Sequence, residues 1–156
     1  MRAVVQRVHS AQVTVEGAVV GAIGPGLLIF LGVGPADDPA AAEHLAQRLA
    51  RLRIFADPQG RFNRSLLEVG GAACVVSQFT LFADARRGHR PSFHGAAPAP
   101  MAEALCATLV AALRRLGVAE VATGRFGARM TVAAEGDGPV TIVISTADDG
   151  WATDCG

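Results

Sequence analysis

Apolar positions in the first 33 residues predict strands. Residues 3–8 are predicted to form a strand, and residues 13–16 then alternate between valine and polar side chains, as in a half-buried strand. Apolar residues return at 19–23 after Glu16-Gly17, so a hairpin is expected. Residues 27–33 are continuously apolar and of strand length, which indicates a central strand covered on both faces.

The spacing of leucines predicts two main helices. The first begins at Asp37-Asp38-Pro39, where an acidic cap precedes a proline whose missing N–H is harmless. The second covers Met101 to Leu116, and Gly117 ends it. The apolar face of the first helix carries Leu45, Leu49 and Leu52 with Ala42 and Ala46.

The rest of the chain reads as further strands and one long loop, Ala83 to Pro100. Extended segments are predicted at Arg53-Ile54-Phe55, at Ala73 to Phe82, and at Arg129 to Ala134 and Val140 to Ser145, the last two joined by a turn over 135–139. This order predicts an α+β fold, with mixed or antiparallel barrel-like sheets packed by two main helices. We expect one domain over 1–146 and a tail over 147–156.

Composition narrows the class of protein. Of 156 residues, 51% are hydrophobic and 18% charged, which is globular, and the formal net charge is +0. A protein that grips long stretches of phosphate is usually basic, so any nucleic-acid contact should be local or centred on an RNA end. We expect neither DNA nor a membrane as a partner.

The cysteines and the N-terminal pattern favour a cytoplasmic location. The chain has three cysteines, an odd number, at positions Cys74, Cys106 and Cys155. Their spacing suits neither a disulfide framework nor a zinc site. The N terminus reads as a strand instead of a signal peptide. A reducing compartment fits these features best.

Two polar segments interrupt apolar strands. Ser77-Gln78-Phe79-Thr80-Leu81 is typical either of a strand whose hydroxyls are satisfied by backbone or of a site, and no charged base lies beside it. Asp137-Gly138-Pro139-Val140-Thr141 reads as an ordinary turn or as backbone that approaches a ligand. Glycine permits such an approach, and an X–Pro bond can be cis at modest cost.

A basic loop is the third candidate. It runs from Asp84 to His94 and includes Arg86, Arg87 and Arg90, which are either solvated or in contact with RNA phosphates. No nucleophile elbow, Walker loop or H-E-x-x-H helix is present, and the four histidines are scattered, so we expect neither a metal nor a cofactor. From the residues alone, the interpretation stops at a small α+β protein with these three features.

Taken together and in order, the segments resemble the D-aminoacyl-tRNA deacylase (D-Tyr-tRNA deacylase) family. The resemblance extends from Met1 to about Ile144. The Ser77-Gln78 start resembles the bacterial type. The segments that carry the resemblance most strongly are Val76-Ser77-Gln78-Phe79-Thr80-Leu81, Arg90-Pro91-Ser92-Phe93, Thr123-Gly124-Arg125-Phe126 and Asp137-Gly138-Pro139-Val140-Thr141.

The resemblance implies a homodimeric hydrolase whose sites combine both subunits. Ser77, Gln78, Phe79 and Thr80 would receive the aminoacylated 3′ end of tRNA. The cis turn Gly138-Pro139 of the partner would exclude L-aminoacyl groups sterically, while D-aminoacyl and glycyl groups are admitted.

The resemblance also implies a mechanism without a catalytic triad. Backbone N–H groups near Phe79 and Thr80 would hold the ester carbonyl as an oxyanion hole, and the ribose 2′-hydroxyl of the tRNA could assist the attacking water. Arg7 would brace the Gly-Pro turn, and Met130 would line the pocket. Thr80 as a covalent nucleophile is the rival mechanism, which lacks a partner base in the sequence.

The sequence departs from the family pattern in two places, and two other functions stay open. Gly136 stands where the family usually has asparagine, which could loosen the turn. The tail 147–156 runs past the family's usual end. The alternatives are a non-catalytic dimer that binds tRNA ends or a small metabolite, and a broad esterase that uses Thr80 as its nucleophile.

Overall fold

The chain is α+β, as predicted, and contains eight strands, three α-helices and one 3₁₀ helix in the computed structural model, which describes residues 1–86 and 88–147. The strands are β1 (Arg2–Val15), β2 (Ala18–Ile23), β3 (Gly26–Gly32), β4 (Phe55–Ala56), β5 (Phe62–Arg64), β6 (Ala72–Ser77), β7 (Val121–Thr123) and β8 (Thr131–Ser145). The helices are α1 (Pro39–Arg51), α2 (Leu66–Val69) and α3 (Ala99–Arg115), and the 3₁₀ helix covers Phe79–Phe82.

Six strands form one strongly curved sheet around β1. The order is β2-β1-β3-β6-β7, and β8 pairs with the other edge of β1. All three partners of β1 are antiparallel to it, whereas β3, β6 and β7 run parallel to one another. The sheet nearly closes into a barrel, because a Cβ on Gly21 of β2 would lie 2.4 Å from the carbonyl oxygen of Thr123 in β7.

The first hairpin and α1 form where the turn and cap residues predicted them. Glu16 and Gly17 have φ of 51° and 81°, the left-handed geometry of a two-residue hairpin turn. In α1, the Asp38 carboxylate accepts a hydrogen bond from the N–H of Ala41 at 2.8 Å, and Pro39 follows the cap. Both predictions are confirmed.

Two hydrophobic clusters lie on opposite faces of the sheet. In β3, Leu27, Ile29 and Leu31 face α1 and α3, whereas Leu28 faces the barrel interior. This alternation is the expected pleat of a strand buried on both faces. Within the described residues, no helix combines the length and apolar character that a bilayer span requires.

The predicted strand from Ala73 to Phe82 is wrong at its second half. β6 ends at Ser77, Gln78 leaves the strand with φ −143° and ψ 79°, and the chain then turns into the 3₁₀ helix. The neighbouring strand β3 ends at Gly32, so little backbone remains for β6 to pair with. Because the 3₁₀ helix is rich in apolar residues, its sequence pattern resembles a continuing strand.

The turn predicted over 135–139 is also wrong. Residues from Thr131 to Ser145 form one continuous strand, β8, that pairs along nearly the whole of β1. The irregularity that glycine and proline introduce is absorbed by register shifts opposite Gln6 to Ser10. Proline is tolerated there because, within the described residues, no strand pairs with the outer edge of β8.

The short α2 was not predicted, and Arg53-Ile54-Phe55 is extended only from Phe55. A signal for α2 was present, since Ser65 and Glu68 form a capping box with both hydrogen bonds made. Both predicted helices are present: α1 begins at Pro39 within the predicted start, and α3 lies within two residues of the predicted bounds at each end.

Candidate active site

A cavity of about 590 Å³ opens where β3 and β6 end. Its walls come from the ends of these strands, the start of α3 and the segment that leads into β8. Three of the four residues predicted to receive the substrate line it, namely Ser77, Gln78 and Phe79, and so does the predicted pocket residue Met130. The volume is in the range of cavities that hold small organic ligands.

Pairing with β3 fixes the cavity floor. Ser77 lies opposite Leu31 in the parallel register, and the N–H of Gln78 donates to the carbonyl of Leu31 at 2.7 Å. The backbone therefore leaves the sheet at a defined point and carries the following residues outward to the rim.

Thr80 does not line the cavity in the described structure. Its hydroxyl accepts a hydrogen bond from the side-chain amide of Gln78. No carboxylate or imidazole among the described residues is hydrogen-bonded to this hydroxyl. The Thr80 side chain thus braces the floor segment and has no visible activating base.

The 3₁₀ helix offers two free amide donors. The N–H of Leu81 donates to Gln78 and that of Ala83 to Thr80. For the N–H groups of Phe79 and Thr80, we find no acceptor among the described residues. The first amides of a helix have no partner inside it, so they are available to an oxygen of a ligand.

Two aromatic rings stand at the mouth of the cavity. The rings of Phe79 and Phe93 are 5.1 Å apart at an interplanar angle of 69°. Their side chains are 58% and 37% exposed, which is high for phenylalanine. Phe93 belongs to the basic loop and to a segment that carries the resemblance, but the sequence does not predict it as a site residue.

Gly124 packs against the Met130 side chain in this wall. A Cβ on Gly124 would lie 2.4 Å from the sulfur of Met130, so any other residue there would require the end of the Met130 side chain to move. Phe126 and Cys106 also line the cavity. Burial raises the pKa of the Cys106 thiol to about 11, with a smaller contribution from Glu103, so the thiol is neutral at physiological pH.

A second group of predicted residues lies together elsewhere. The guanidinium of Arg7 forms an ion pair with Asp137, with Nε 2.9 Å from Oδ2, and it also donates to the carbonyl of Ile54. The ring of Phe62 lies 5.2 Å from the guanidinium carbon. Arg7 therefore contacts the residue directly before the Gly-Pro pair.

The Gly138–Pro139 peptide is cis and both residues are exposed. Gly138 has φ +129°, and a Cβ there would lie 2.7 Å from Cγ2 and 2.8 Å from N of Val140. Around Gly136, in contrast, an added Cβ would meet no atom within 4 Å. Backbone geometry thus requires glycine at 138 but not at 136.

The two groups do not share a pocket within one chain. Pro139 and Arg7 line a small pocket of about 100 Å³, and no residue of that pocket lines the large cavity. One chain therefore brings together Ser77, Gln78, Phe79 and Met130, and separately Arg7, Gly138 and Pro139.

The basic loop is less free than its sequence indicated. Arg86 donates through Nε and Nη2 to both carboxylate oxygens of Asp84, at 2.9 and 2.7 Å. This ion pair lowers the pKa of Asp84 far below its usual range. Arg90 is exposed beside Phe93, and Arg87 lies outside the described residues. Of the two arginines of this loop that the structure describes, Arg86 is engaged by Asp84, whereas no ion pair is seen for Arg90 among the described residues.

The described residues contain no cluster of three metal-ligating side chains from histidine, cysteine, aspartate and glutamate. The cavity is lined by the Ser77 hydroxyl, the Gln78 amide and the rings of Phe79 and Phe93.

Comparison with known proteins gives consistent matches. A sequence profile of the D-Tyr-tRNA(Tyr) deacylase family matches residues 4–145. A protein of Roseiflexus sp. (strain RS-1), named D-aminoacyl-tRNA deacylase, is 63% identical over 147 residues, which cover 94% of each chain. The solved structure of a c-Myc DNA Unwinding Element Binding Protein superposes with a TM-score of 0.89 at 37% identity, over 94% of this chain and 99% of that one.

A second solved structure, described as a probable eukaryotic D-amino acid tRNA deacylase, has a TM-score of 0.79 at 21% identity. It covers 92% of this chain and 97% of that chain. This likeness supports the fold.

Proposed function

The chain belongs to the D-Tyr-tRNA(Tyr) deacylase family, and on that basis we propose that it is a hydrolase that removes D-amino acids from tRNA. Water would add across the ester that joins the amino acid to the terminal ribose. The products would be a free D-amino acid and a tRNA with its 3′-terminal hydroxyl restored.

The observation that carries this proposal is the cavity formed by Ser77, Gln78, Phe79 and Met130. The resemblance implies that the aminoacylated end of tRNA would lie against these residues. The cavity has the volume for one nucleoside-sized group, and its exposed rings are suited to stack on an unpaired base. A chain of zero formal charge fits a partner that is held at its end and not along its length.

The mechanism that we propose uses backbone donors. When water attacks the ester carbon, the carbonyl oxygen gains negative charge, and the unpaired N–H groups of Phe79 and Thr80 would donate to it. The ribose 2′-hydroxyl of the tRNA would orient the water. The lack of a described acid or base beside the Thr80 hydroxyl supports this route over a covalent threonine intermediate.

Selectivity for handedness is proposed to come from a second copy of the chain. Gly138 and Pro139 are exposed on β8, whose outer edge has no partner strand in the described structure, and they lie apart from their own chain's cavity. In a homodimer, this rigid backbone could enter the cavity of the partner subunit. An L side chain would then clash, whereas a D side chain or the hydrogen of a glycyl group would not.

The direct test is a hydrolysis assay with matched D-aminoacyl-, L-aminoacyl- and glycyl-tRNA. We expect release from the D and glycyl forms and none from the L form at equal enzyme concentration. Binding to tRNA without release would instead support the non-catalytic module, and release from both D and L forms would support a broad esterase. Excess duplex DNA as a competitor should leave the rate unchanged.

A further inference from the structure

None of the four residues of the 3₁₀ helix is fully buried. Specific contacts with neighbouring residues must therefore help to hold this helix against the sheet. We infer that Arg2, at the start of β1, is a positioning residue for this helix. Resting on the proposed function, the inference is that Arg2 sets where the amides of Phe79 and Thr80 meet the ester oxygen.

Arg2 contacts the 3₁₀ helix in two ways. Its Nη1 donates to the carbonyl of Leu81 at 2.9 Å, and its guanidinium carbon lies 4.4 Å from the centre of the Phe82 ring. A planar guanidinium can make an in-plane hydrogen bond and a cation–π contact at once, so the carbonyl and the ring are fixed relative to each other.

The backbone of Arg2 is held firmly in the sheet. Arg2 pairs with Gly32 of β3 on one side and with Ser145 of β8 on the other, so its backbone lies in the middle of the sheet. The side chain therefore transmits the position of the sheet to Leu81 and Phe82, which directly follow the two donor residues in the chain.

Close backbone packing holds the 3₁₀ helix from the β3 side. A Cβ on Gly32 would lie 3.0 Å from Cβ of Leu81 and 3.1 Å from the carbonyl oxygen of Gln78. A Cβ on Gly34 would lie 2.9 Å from the Phe82 ring. The helix is thus pressed against the strand end, and Arg2 fixes the remaining freedom to slide or rotate.

The test compares Arg2→Met, Arg2→Lys and the control Arg48→Met. Arg48 on α1 also donates to a backbone carbonyl, that of Ser145 at 3.1 Å, but it contacts no residue of the 3₁₀ helix in the described contacts. We expect Arg2→Met to lower kcat roughly 10-fold to 100-fold with little change in KM, because small displacements of catalytic groups are costly. Arg2→Lys should recover part of that loss, and Arg48→Met should match the wild type.

NMR provides a readout that does not depend on activity. In Arg2→Met the amide shifts of Phe79 and Thr80 should move, whereas in Arg48→Met they should not. Unchanged shifts in Arg2→Met, or wild-type kcat, would overturn the inference. An equal loss in Arg2→Met and Arg2→Lys that tracks melting temperature would do so as well. If the wild type itself releases no D-amino acid, the proposed function fails, while the shifts still decide the role of Arg2.

Discussion

Arg7 is buried and yet carries a full charge, so its environment must be matched to it. Replacing it with methionine would leave Asp137 without its cation and the carbonyl of Ile54 without a donor. Because Asp137 is about a third exposed, we expect a loss of about 1–3 kcal/mol in the free energy of unfolding, less than for a fully buried pair.

The same Arg7→Met change should alter selectivity. With Asp137 released, the Gly-Pro backbone is no longer fixed, so L-aminoacyl-tRNA should become a substrate while D-aminoacyl release persists. Arg61→Met is the control, since Arg61 pairs with Asp57 at 3.5 Å but is 75% exposed. Strict retention of D-selectivity in a folded Arg7→Met protein would contradict the proposed brace.

Thr80 distinguishes the two mechanisms. Its hydroxyl accepts from Gln78, so Thr80→Ala removes one neutral hydrogen bond and should lower kcat by about 2-fold to 10-fold. Removal of a covalent nucleophile would instead lower kcat on the order of 10⁶-fold. The measurement is single-turnover release from D-aminoacyl-tRNA, with substrate binding as the control for folding. Complete inactivity with intact binding would rule out the water mechanism.

At the scale of elements, β8 should respond differently at its two neighbouring glycines. Gly138→Ala must adopt φ +129° and clash with Val140, so a loss of about 1–3 kcal/mol in unfolding free energy is expected. Gly136→Ala meets open space and should change stability by about 0.5 kcal/mol or less. Chemical denaturation measures the free energy of unfolding of both variants. Equal losses would contradict the different backbone geometry of Gly136 and Gly138 in β8.

Gly136→Asn restores the residue that the family usually carries. Since the space at position 136 is open, the protein should fold normally, and any residual release of L-aminoacyl groups should fall. This variant measures the effect of the residue at position 136 while Gly138 and Pro139 stay unchanged.

The predicted elements succeeded where local signals and burial agreed. The hairpin at Glu16-Gly17 and the start of α1 at Asp38 depend on turn and cap chemistry that the sequence displays. The end of β6 and the continuity of β8 depend on which strand lies alongside. Pattern alone could not reveal that β6 pairs with β3 and loses its partner after Gly32, or that β8 pairs along nearly the whole of β1.

The site divides in the same way. Resemblance identified Ser77, Gln78, Phe79 and Met130, which the structure brings to one cavity. The roles of Phe93 at the rim and Arg2 beneath the floor arise only from contacts across distant segments, so no spacing rule could find them. A count of positive charges in the basic loop also could not show that Arg86 pairs with Asp84.

At the scale of the whole molecule, the separation of the two groups makes a cross-subunit site testable. Ala128 lines the cavity, so Ala128→Trp should block it. A homodimer of Ala128→Trp should be inactive, and a homodimer of Arg7→Met should hydrolyse both D and L forms. Their mixed dimer retains one open cavity, in the Arg7→Met subunit, which would face an intact turn from the blocked partner.

The mixed dimer should therefore regain strict D-selectivity at its open site. If each turn served the cavity of its own chain, the mixed dimer would still hydrolyse L-aminoacyl-tRNA. Differently tagged subunits, purified in tandem and assayed with both substrates, separate these outcomes.

The near-contact between Gly21 and Thr123 leaves no room for a side chain at position 21, because a Cβ there would lie 2.4 Å from the carbonyl oxygen of Thr123. As substitutions accumulate over generations, position 21 either remains glycine or acts as a wedge that widens the barrel. A wider barrel would displace Thr123 and, through the adjoining Gly124, the wall carrying Met130. Substitutions at position 21 should therefore change the size of ligand that the cavity accepts. Relatives that keep the same substrate should seldom have a residue other than glycine at this position.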